Sequence, residues 1–460
     1  MNRTIRNIFL TTFCALVLAA HFTLPAYGLD LRPKIEPFAN QLIQEDLAVG
    51  FVIGIVKDGE TQVLAYGEKT RGAGNPPDGD TMYEIGSISK VFTGILLARL
   101  NLQGLVKLDD PIQDYVPAGV TVQVRDNQPI TLKHLATHTS GLPRLPDNLQ
   151  PKDMANPYSD YTVEQMYDFL DNYLPIRPPG QYEYSNYGMG LLGHLLAQRV
   201  GLTYEQFLAR DILHPLGMKD TFITLDSEAR KRLATPYDMA LKQVENWDIP
   251  TLAGAGGIRS TCWDMLKFIR ANISETGDLL HKALRLAQGK QHTMANGLGL
   301  ALGWHIALDG TTLNHNGQTG GYHGWLAVAP NRKVGVVVLA NTASMRISTF
   351  GETVTRIALG IDVAPPETHK VVAIDPAVLQ SYIGVYQLTP EFNLTVTVED
   401  GKLMVQATGQ DRFQIFPESD TKFFYKVVDA RITFIRDKDG RTKELILHQG
   451  GRDMKAARKN

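Results

Sequence analysis

The sequence predicts an α+β protein in two parts: an antiparallel sheet flanked by helices with an all-helical insertion, then a small antiparallel β-barrel. Three observations carry this. Strand-like alternation occurs early and again late, with helical spacing between the two groups. A short proline-containing linker, Val363-Ala364-Pro365-Pro366-Glu367, follows the second group. Beyond it the texture changes to short strands separated by turn pairs, among them Asp400-Gly401 and Asp439-Gly440.

In chain order, Pro33 to Glu45 has the spacing of an amphipathic helix. Gly50 to Val56 alternates as a strand, Lys57-Asp58-Gly59 turns it, and Thr61 to Tyr66 returns as the second arm of a hairpin. Helical spacing runs from Ser87 to Leu100, with Gly104 as the stop. The middle, residues 110 to 285, is rich in Pro, Gly and short helical patterns, with Thr162 to Tyr173 and Tyr187 to Val200 the clearest. Gly299 to Leu308, Leu326 to Ala329 and Lys333 to Ala340 read as strands, and Thr349 to Leu359 as a closing helix. An order of strands, helices, then strands suits one sheet built from both ends of a domain. After the linker, six short strands are predicted: Leu394–Val398, Leu403–Ala407, Phe413–Phe416, Phe423–Val427, Arg431–Ile435 and Glu444–His448. The basic stretch Lys455 to Lys459 is expected to be disordered.

At 460 residues, the chain exceeds one ordinary domain; 43% hydrophobic and 20% charged residues are enough for a sizeable core. A net charge of -2 argues against nucleic acid as the main partner. Arg3 and Arg6, the apolar run Ile8 to Ala20 and the small-x-small Ala26-Tyr27-Gly28 read as an export signal over residues 1–28, with an uncleaved anchor as the alternative. The run is shorter than the roughly 20 residues a spanning helix needs, and no other stretch is long and apolar enough. A periplasmic or secreted location is therefore expected. Cys14 would leave with the signal, and Cys262 would remain without a disulfide partner. The expected division is a signal over 1–28, a catalytic domain over 29–365 and a barrel over 366–460.

Three motifs carry chemistry. In Ser87-Ile88-Ser89-Lys90, a hydroxyl and an amine fall on one helix face, so Lys90 can draw the proton from Ser87, and Gly86 lets other groups come close. The spacing alone is weak, and Ser419-Asp420-Thr421-Lys422 repeats it among the C-terminal strands. Tyr184-Ser185-Asn186 can aim a phenol and an amide into one cleft; a neighbouring cation would lower the phenol's pKa and let it act as a base. His315-Asn316-Gly317, followed by Gln318, can present a cation or donor to a carboxylate and leave room for an acyl group.

In this order and spacing, the three motifs resemble the penicillin-recognising serine hydrolases: class C β-lactamases, D-alanyl-D-alanine carboxypeptidases and related esterases. The likeness spans Pro33 to Gly360 and includes Tyr83-Glu84-Ile85-Gly86, Leu135-Ala136-Thr137-His138-Thr139-Ser140-Gly141-Leu142 and His214-Pro215-Leu216-Gly217-Met218. The resemblance implies the β-lactamase/transpeptidase-like fold, an acyl-enzyme at Ser87, and shared acid and base duties for Lys90 and Tyr184. It implies substrate contacts from Asn186, His315 and Gly317, and an oxyanion hole from the Ser87 and Gln318 N–H groups. It also implies a peptide, β-lactam or ester substrate, with no cofactor. His-Asn-Gly stands where the family usually carries Lys-Thr-Gly; this favours peptidase or esterase activity over efficient β-lactam hydrolysis. Tyr382-Ile383-Gly384-Val385-Tyr386 and the strand texture after it resemble the small lipocalin-like barrels appended to such domains.

The sequence admits two other classes. A non-catalytic binder of cell-wall peptides would keep the fold without turnover. A metalloenzyme is poorly supported, since His134 and His138 lack an intervening Glu in the His-Glu-x-x-His pattern. A Gly-x-Ser-x-Gly elbow is missing around Ser87.

Overall fold

A computed structural model describes residues 28–366, 369–428 and 430–459. The segment read as an export signal lies outside the described residues, apart from Gly28. Among the described residues no helix is long and apolar enough to cross a membrane.

The first part is built on an eight-stranded antiparallel sheet. Its strands are β1 (Gly50–Lys57), β2 (Glu60–Gly67), β5 (His292–Thr293), β6 (Gly299–Leu300), β7 (His305–Ile306), β8 (Leu313–Gln318), β9 (His323–Ala329) and β10 (Val334–Ala340), in the order β2-β1-β10-β9-β8-β7-β6-β5. The intervening pair, β3 (Met82–Glu84) and β4 (Arg259–Thr261), forms a separate two-stranded ladder. The early strand β1 lies against the late strand β10, with Ile53 opposite Val338, so both ends of the domain meet within one sheet.

Alternation along β1 and β10 divides the core. Phe51, Ile53 and Ile55 join Val336 and Val338 under the helices Arg32–Gln44 and Arg346–Ala358. Val52, Val56, Val337 and Leu339 face the helix Cys262–Ile273. Burial on both faces stabilises each such side chain by about 1.5–3 kcal/mol. At Gly54 the helix comes so close that an added Cβ would lie 2.7 Å from Cys262 Sγ.

The stretch Gly299 to Leu308, expected as one strand, is two short strands around a turn. The reason is the helix Ser89–Leu102 beneath it: Gly303 adopts φ +75, and an added Cβ would sit 2.3 Å from the Lys90 carbonyl. The middle of the chain packs as helices. Val163–Asn172 opens with a capping box between Thr162 and Gln165. Asn186–Arg199 opens with the Ser185 hydroxyl accepting from the Gly188 N–H at 2.8 Å.

The second part is a closed barrel of eight sequential antiparallel strands: β11 (Gly384–Thr389), β12 (Phe392–Glu399), β13 (Lys402–Ala407), β14 (Arg412–Pro417), β15 (Lys422–Tyr425), β16 (Ala430–Arg436), β17 (Thr442–Gln449) and β18 (Arg452–Arg458). Two of these were missed in the sequence. The basic end expected to be disordered is strand β18, which pairs along β17 and closes onto β11, with Tyr386 opposite Arg458. Met454 and Ala456 pack with the barrel core, while Lys455 between them is exposed. Tyr382 and Tyr386 fill the interior, and Tyr382 stacks on Phe434 at 3.9 Å between centroids.

Candidate active site

Ser87 sits in the single 3-10 turn Gly86–Ile88 that leads into the helix Ser89–Leu102. Gly86 has φ +51, and a Cβ there would lie 2.6 Å from the Gln318 backbone nitrogen, so both conformation and space require glycine. One turn on, Lys90 is fully buried; its Nζ donates to Ser87 Oγ at 2.9 Å and to the Ala255 carbonyl at 2.6 Å. Burial, and secondarily the Arg144 guanidinium, hold the Lys90 amine well below the ordinary lysine range.

Tyr184 completes the pair. Its ring stacks on His138 at 4.3 Å, and Lys90 Nζ lies 5.0 Å from its centroid. Its hydroxyl shares a hydrogen bond with Ser87. Burial drives its pKa upward, outweighing the lowering effects of Ser87 and Arg144. This reverses the expectation that a neighbouring cation would lower it: at this site desolvation dominates. Ser185 points inward, with its N–H donating to His138 Nδ1 at 3.1 Å and its hydroxyl to the Pro143 carbonyl at 2.7 Å. That alternation leaves Tyr184 and Asn186 on the cleft wall. Asn186 Oδ1 is buried without a hydrogen-bond partner.

The edge of β8 lies directly against the serine turn. A Cβ on Gly317 would be 1.9 Å from the Ile85 carbonyl and 2.9 Å from the Ser87 nitrogen. Thr319 donates to the Tyr322 carbonyl at 3.1 Å, so ladder alternation turns the preceding Gln318 N–H away from β9 and toward Gly86. The Ser87 and Gln318 backbone nitrogens thus come together where β8 meets the serine turn.

His315 is 1% exposed: alternation on β8 puts it on the same face as Gly317, toward the serine turn, with its ring 6.4 Å from the Tyr184 ring and 5.0 Å from that of His305, behind the cleft surface that Asn316 lines. Its Nδ1 meets the Asn316 carbonyl, its Nε2 has no partner, and burial beside His305 and Lys90 holds it neutral. The second Ser-x-x-Lys, at Ser419, forms a turn in which the Lys422 backbone N–H, not its amine, donates to the Ser419 hydroxyl at 3.1 Å.

The cleft over these groups has a volume of about 610 Å³, and its walls include Ser87, Tyr184, Asn186, Gln318, Arg144 and Trp247. Arg144 and His138 were not recognised as parts of the site. Both lie in an irregular loop without periodicity, and only its fold onto residues 182–187 brings them to Tyr184. A second groove, about 620 Å³, runs between the loop Asp238–Leu241 and the barrel; Met239 lines both cavities. Among the described residues no cluster of three or more His, Cys, Asp or Glu is placed to hold a metal ion.

A sheet edge against a buried Ser–Lys pair, with a phenol in reach, defines the class: this is a serine hydrolase. The family model described as Beta-lactamase matches residues 39–353, and the chain belongs to that family. A model described as a domain of unknown function (DUF3471) matches residues 368–458. Among relatives, a Beta-lactamase of Pseudomonas fluorescens is 28% identical over 68% of this chain and 94% of its own length. The D-alanyl-D-alanine-carboxypeptidase/endopeptidase AmpH of Escherichia coli is 29% identical over 74% of this chain and 91% of its own. A solved β-lactamase/D-alanine carboxypeptidase from Yersinia pestis superposes with a TM-score of 0.63 at 27% identity, covering 71% of this chain and 97% of the other.

Proposed function

We propose that the protein is an exported hydrolase that forms an acyl-enzyme at Ser87 on D-amino-acid peptides, β-lactams or esters, with peptides and esters turned over better than β-lactams. The observation that carries this is the 2.9 Å contact between Ser87 Oγ and a Lys90 amine whose pKa burial pushes well below the ordinary lysine range. A neutral amine accepts the Ser87 proton as Oγ attacks the carbonyl carbon. The oxygen that becomes negative lies between the Ser87 and Gln318 N–H groups, each worth about 3–4 kcal/mol in such sites. The proton then passes from Lys90, with the protonated Tyr184 phenol beside it, to the leaving nitrogen or oxygen. Water, activated by the same amine, releases the acyl group. Asn186, with its unpartnered Oδ1, is suited to orient a substrate amide N–H.

The names of the relatives, β-lactamase and carboxypeptidase/endopeptidase among them, support this substrate range. The neutral, buried His315 supports weak β-lactam turnover, since it offers no charge to the β-lactam carboxylate. Export follows from the signal-like residues 1–28, leaving a hydrolase part over 29–365 and a barrel over 366–460; N-terminal sequencing of the mature protein tests it. For the chemistry, a panel of a cephalosporin, a D-Ala-D-Ala peptide and short acyl esters is run beside labelling with fluorescent penicillin and fluorophosphonate. Equal labelling of wild type and Ser87→Ala would end the assignment.

A further inference from the structure

Arg144 is the only Asp, Glu, Lys or Arg among the residues lining the catalytic cleft. Its guanidinium lies 5.2 Å from the Tyr184 ring centroid. Among the described residues it makes no ion pair and no side-chain hydrogen bond, so its fixed array of donors is open to the cleft. The contrast is close at hand, since Arg177, in the loop after the helix Val163–Asn172, is paired with Glu183. The position of Arg144 is set by the catalytic loop itself. Its carbonyl accepts from the Asn186 N–H at 3.0 Å and the Tyr187 N–H at 3.2 Å, and the preceding Pro143 carbonyl accepts from Ser185. The cation is therefore held in register with Tyr184 and Asn186, on the helical wall of the cleft and not on the β8 wall where His315 is buried.

We propose that Arg144 is the specificity-determining cation of this hydrolase and receives a carboxylate carried by the substrate. A cleft with one permanent positive charge and no lining carboxylate focuses a positive field on Ser87. The planar guanidinium suits a bidentate carboxylate contact, and stacking on the Tyr184 ring limits the freedom it must lose on binding. A neutral substrate of the same shape leaves those donors to water.

The kinetic arm rests on Ser87 acylation. Mono-4-nitrophenyl succinate is compared with 4-nitrophenyl butyrate, and 3-carboxyphenyl butyrate with phenyl butyrate, placing the charge on the acyl or the leaving side. Wild type should prefer the charged member of at least one pair. Arg144→Gln should reduce that preference about tenfold, mainly through KM, the scale of one charge-assisted hydrogen bond, and Arg144→Lys should restore part of it. The ratio within a pair is the readout, because an altered Lys90 basicity moves both members together. No preference in wild type, or an unchanged preference in Arg144→Gln, overturns the proposal. A binding arm needs no turnover: hippurate and hippuramide are titrated against the intact protein by tryptophan fluorescence, which Trp247 in the cleft wall should report. Arg144→Gln should weaken hippurate about tenfold and leave hippuramide unchanged. Absent hippurate binding, or equal binding by both proteins, overturns the proposal. Discrimination by Arg144 without any labelling of Ser87 would sink the acyl-enzyme reading and leave this one standing.

Discussion

Lys90 Nζ stands 2.9 Å from Ser87 Oγ and 2.6 Å from the Ala255 carbonyl, fully buried one helical turn beyond the serine. Both acceptors lie where they fix the amine toward the hydroxyl. Lys90→Met keeps the length and apolar volume of the side chain and removes the base. Turnover of any ester substrate should fall by about 10²–10⁴-fold, the range of a lost general base, with the circular dichroism spectrum unchanged. An active Lys90→Met enzyme would show that another group takes the proton.

The opposed pKa directions of Lys90 and Tyr184 set the pH profile. The amine is held low, so kcat/KM should be lost only as pH falls through that depressed value and Lys90 takes a proton. The phenol is held high, so it keeps its proton and no alkaline loss is expected up to about pH 10, its unperturbed value. Removing the Arg144 cation by Arg144→Gln should raise the Lys90 pKa and move the acid limb to higher pH. Tyr184→Phe should lower the rate and keep the acid limb. A limb that vanishes in Tyr184→Phe would make the phenolate, not the amine, the base.

The sequence carried the parts whose signal is local. The hairpin of β1 and β2, the helix after Ser87 and the two capped helices of the middle follow from alternation, spacing and stop residues. The strand read over Gly299–Leu308 failed because a helix beneath it, distant in sequence, demands a left-handed glycine at 303. In the barrel, β11 and β18 were hidden by composition: β18 reads as a charged tail, and only closure onto β11 gives Met454 and Ala456 an interior to face. In the site, the juxtaposition of Ser87, Lys90 and Tyr184 was legible because a hydroxyl and an amine three residues apart share a helix face and the Tyr-x-Asn spacing aims a phenol into the cleft, whereas Gln318 came only with the family resemblance. His138 and Arg144 were not legible, since their contact with Tyr184 is made by loop packing. The burial of His315 and the charge state of Tyr184 depend on packing that a motif does not encode.

Burial of His138, His305 and His315 in one neighbourhood predicts acid sensitivity. Burial lowers all three, His305 to about 4. The folded values lie below the unfolded one near 6.5, so the unfolded chain binds the extra protons. Stability is therefore full above about pH 6.5 and is lost as pH falls, by up to about 1.4 kcal/mol per pH unit for each histidine. Urea titrations at pH 7.5, 6 and 5 should show this decline, and His315→Gln should reduce its slope; equal stability at all three would contradict neutral burial. His315→Lys should destabilise by roughly 3 kcal/mol, since it buries an unpaired ammonium near Lys90, and should not improve cephalosporin hydrolysis.

Gly317 tests the approach of β8 to the serine turn. An alanine Cβ would lie 1.9 Å from the Ile85 carbonyl, which is backbone and cannot swing aside. The strand must retreat and carry the Gln318 N–H away from Ser87. Gly317→Ala should lower kcat by about 10²–10³-fold, the effect of losing one oxyanion donor, and fluorophosphonate labelling should slow. Gly59→Ala, at a turn where nothing lies within 4 Å but φ is +86, serves as the control: it should lower Tm with little change in kcat. Wild-type kcat in Gly317→Ala would mean that the Gln318 donor is not used.

Strand β18 is the seam of the barrel. Tyr386 and Gln387 on β11 pair with Arg458 and Ala457, the Lys459 N–H donates to the Val385 carbonyl at 2.7 Å, and Arg458 donates to the Thr442 carbonyl at 3.2 Å. Arg458 also reaches the Ser381 and Ile383 carbonyls, so one guanidinium joins the start of the barrel to its end. Amides of residues 452–458 should exchange with solvent as slowly as those of β17 in the intact protein, where a disordered tail would exchange at unfolded-chain rates. Arg458→Ala leaves three part-buried carbonyls without their donor and should speed exchange in β11 and β18 together. Its effect on β1 and β10 should be nil, because those strands belong to a different core. Joint acceleration of both cores would mean that the barrel and the sheet unfold as one unit; fast exchange of β18 in the wild type would mean that the barrel is open at this seam, with β11 and β17 left as unpaired edges.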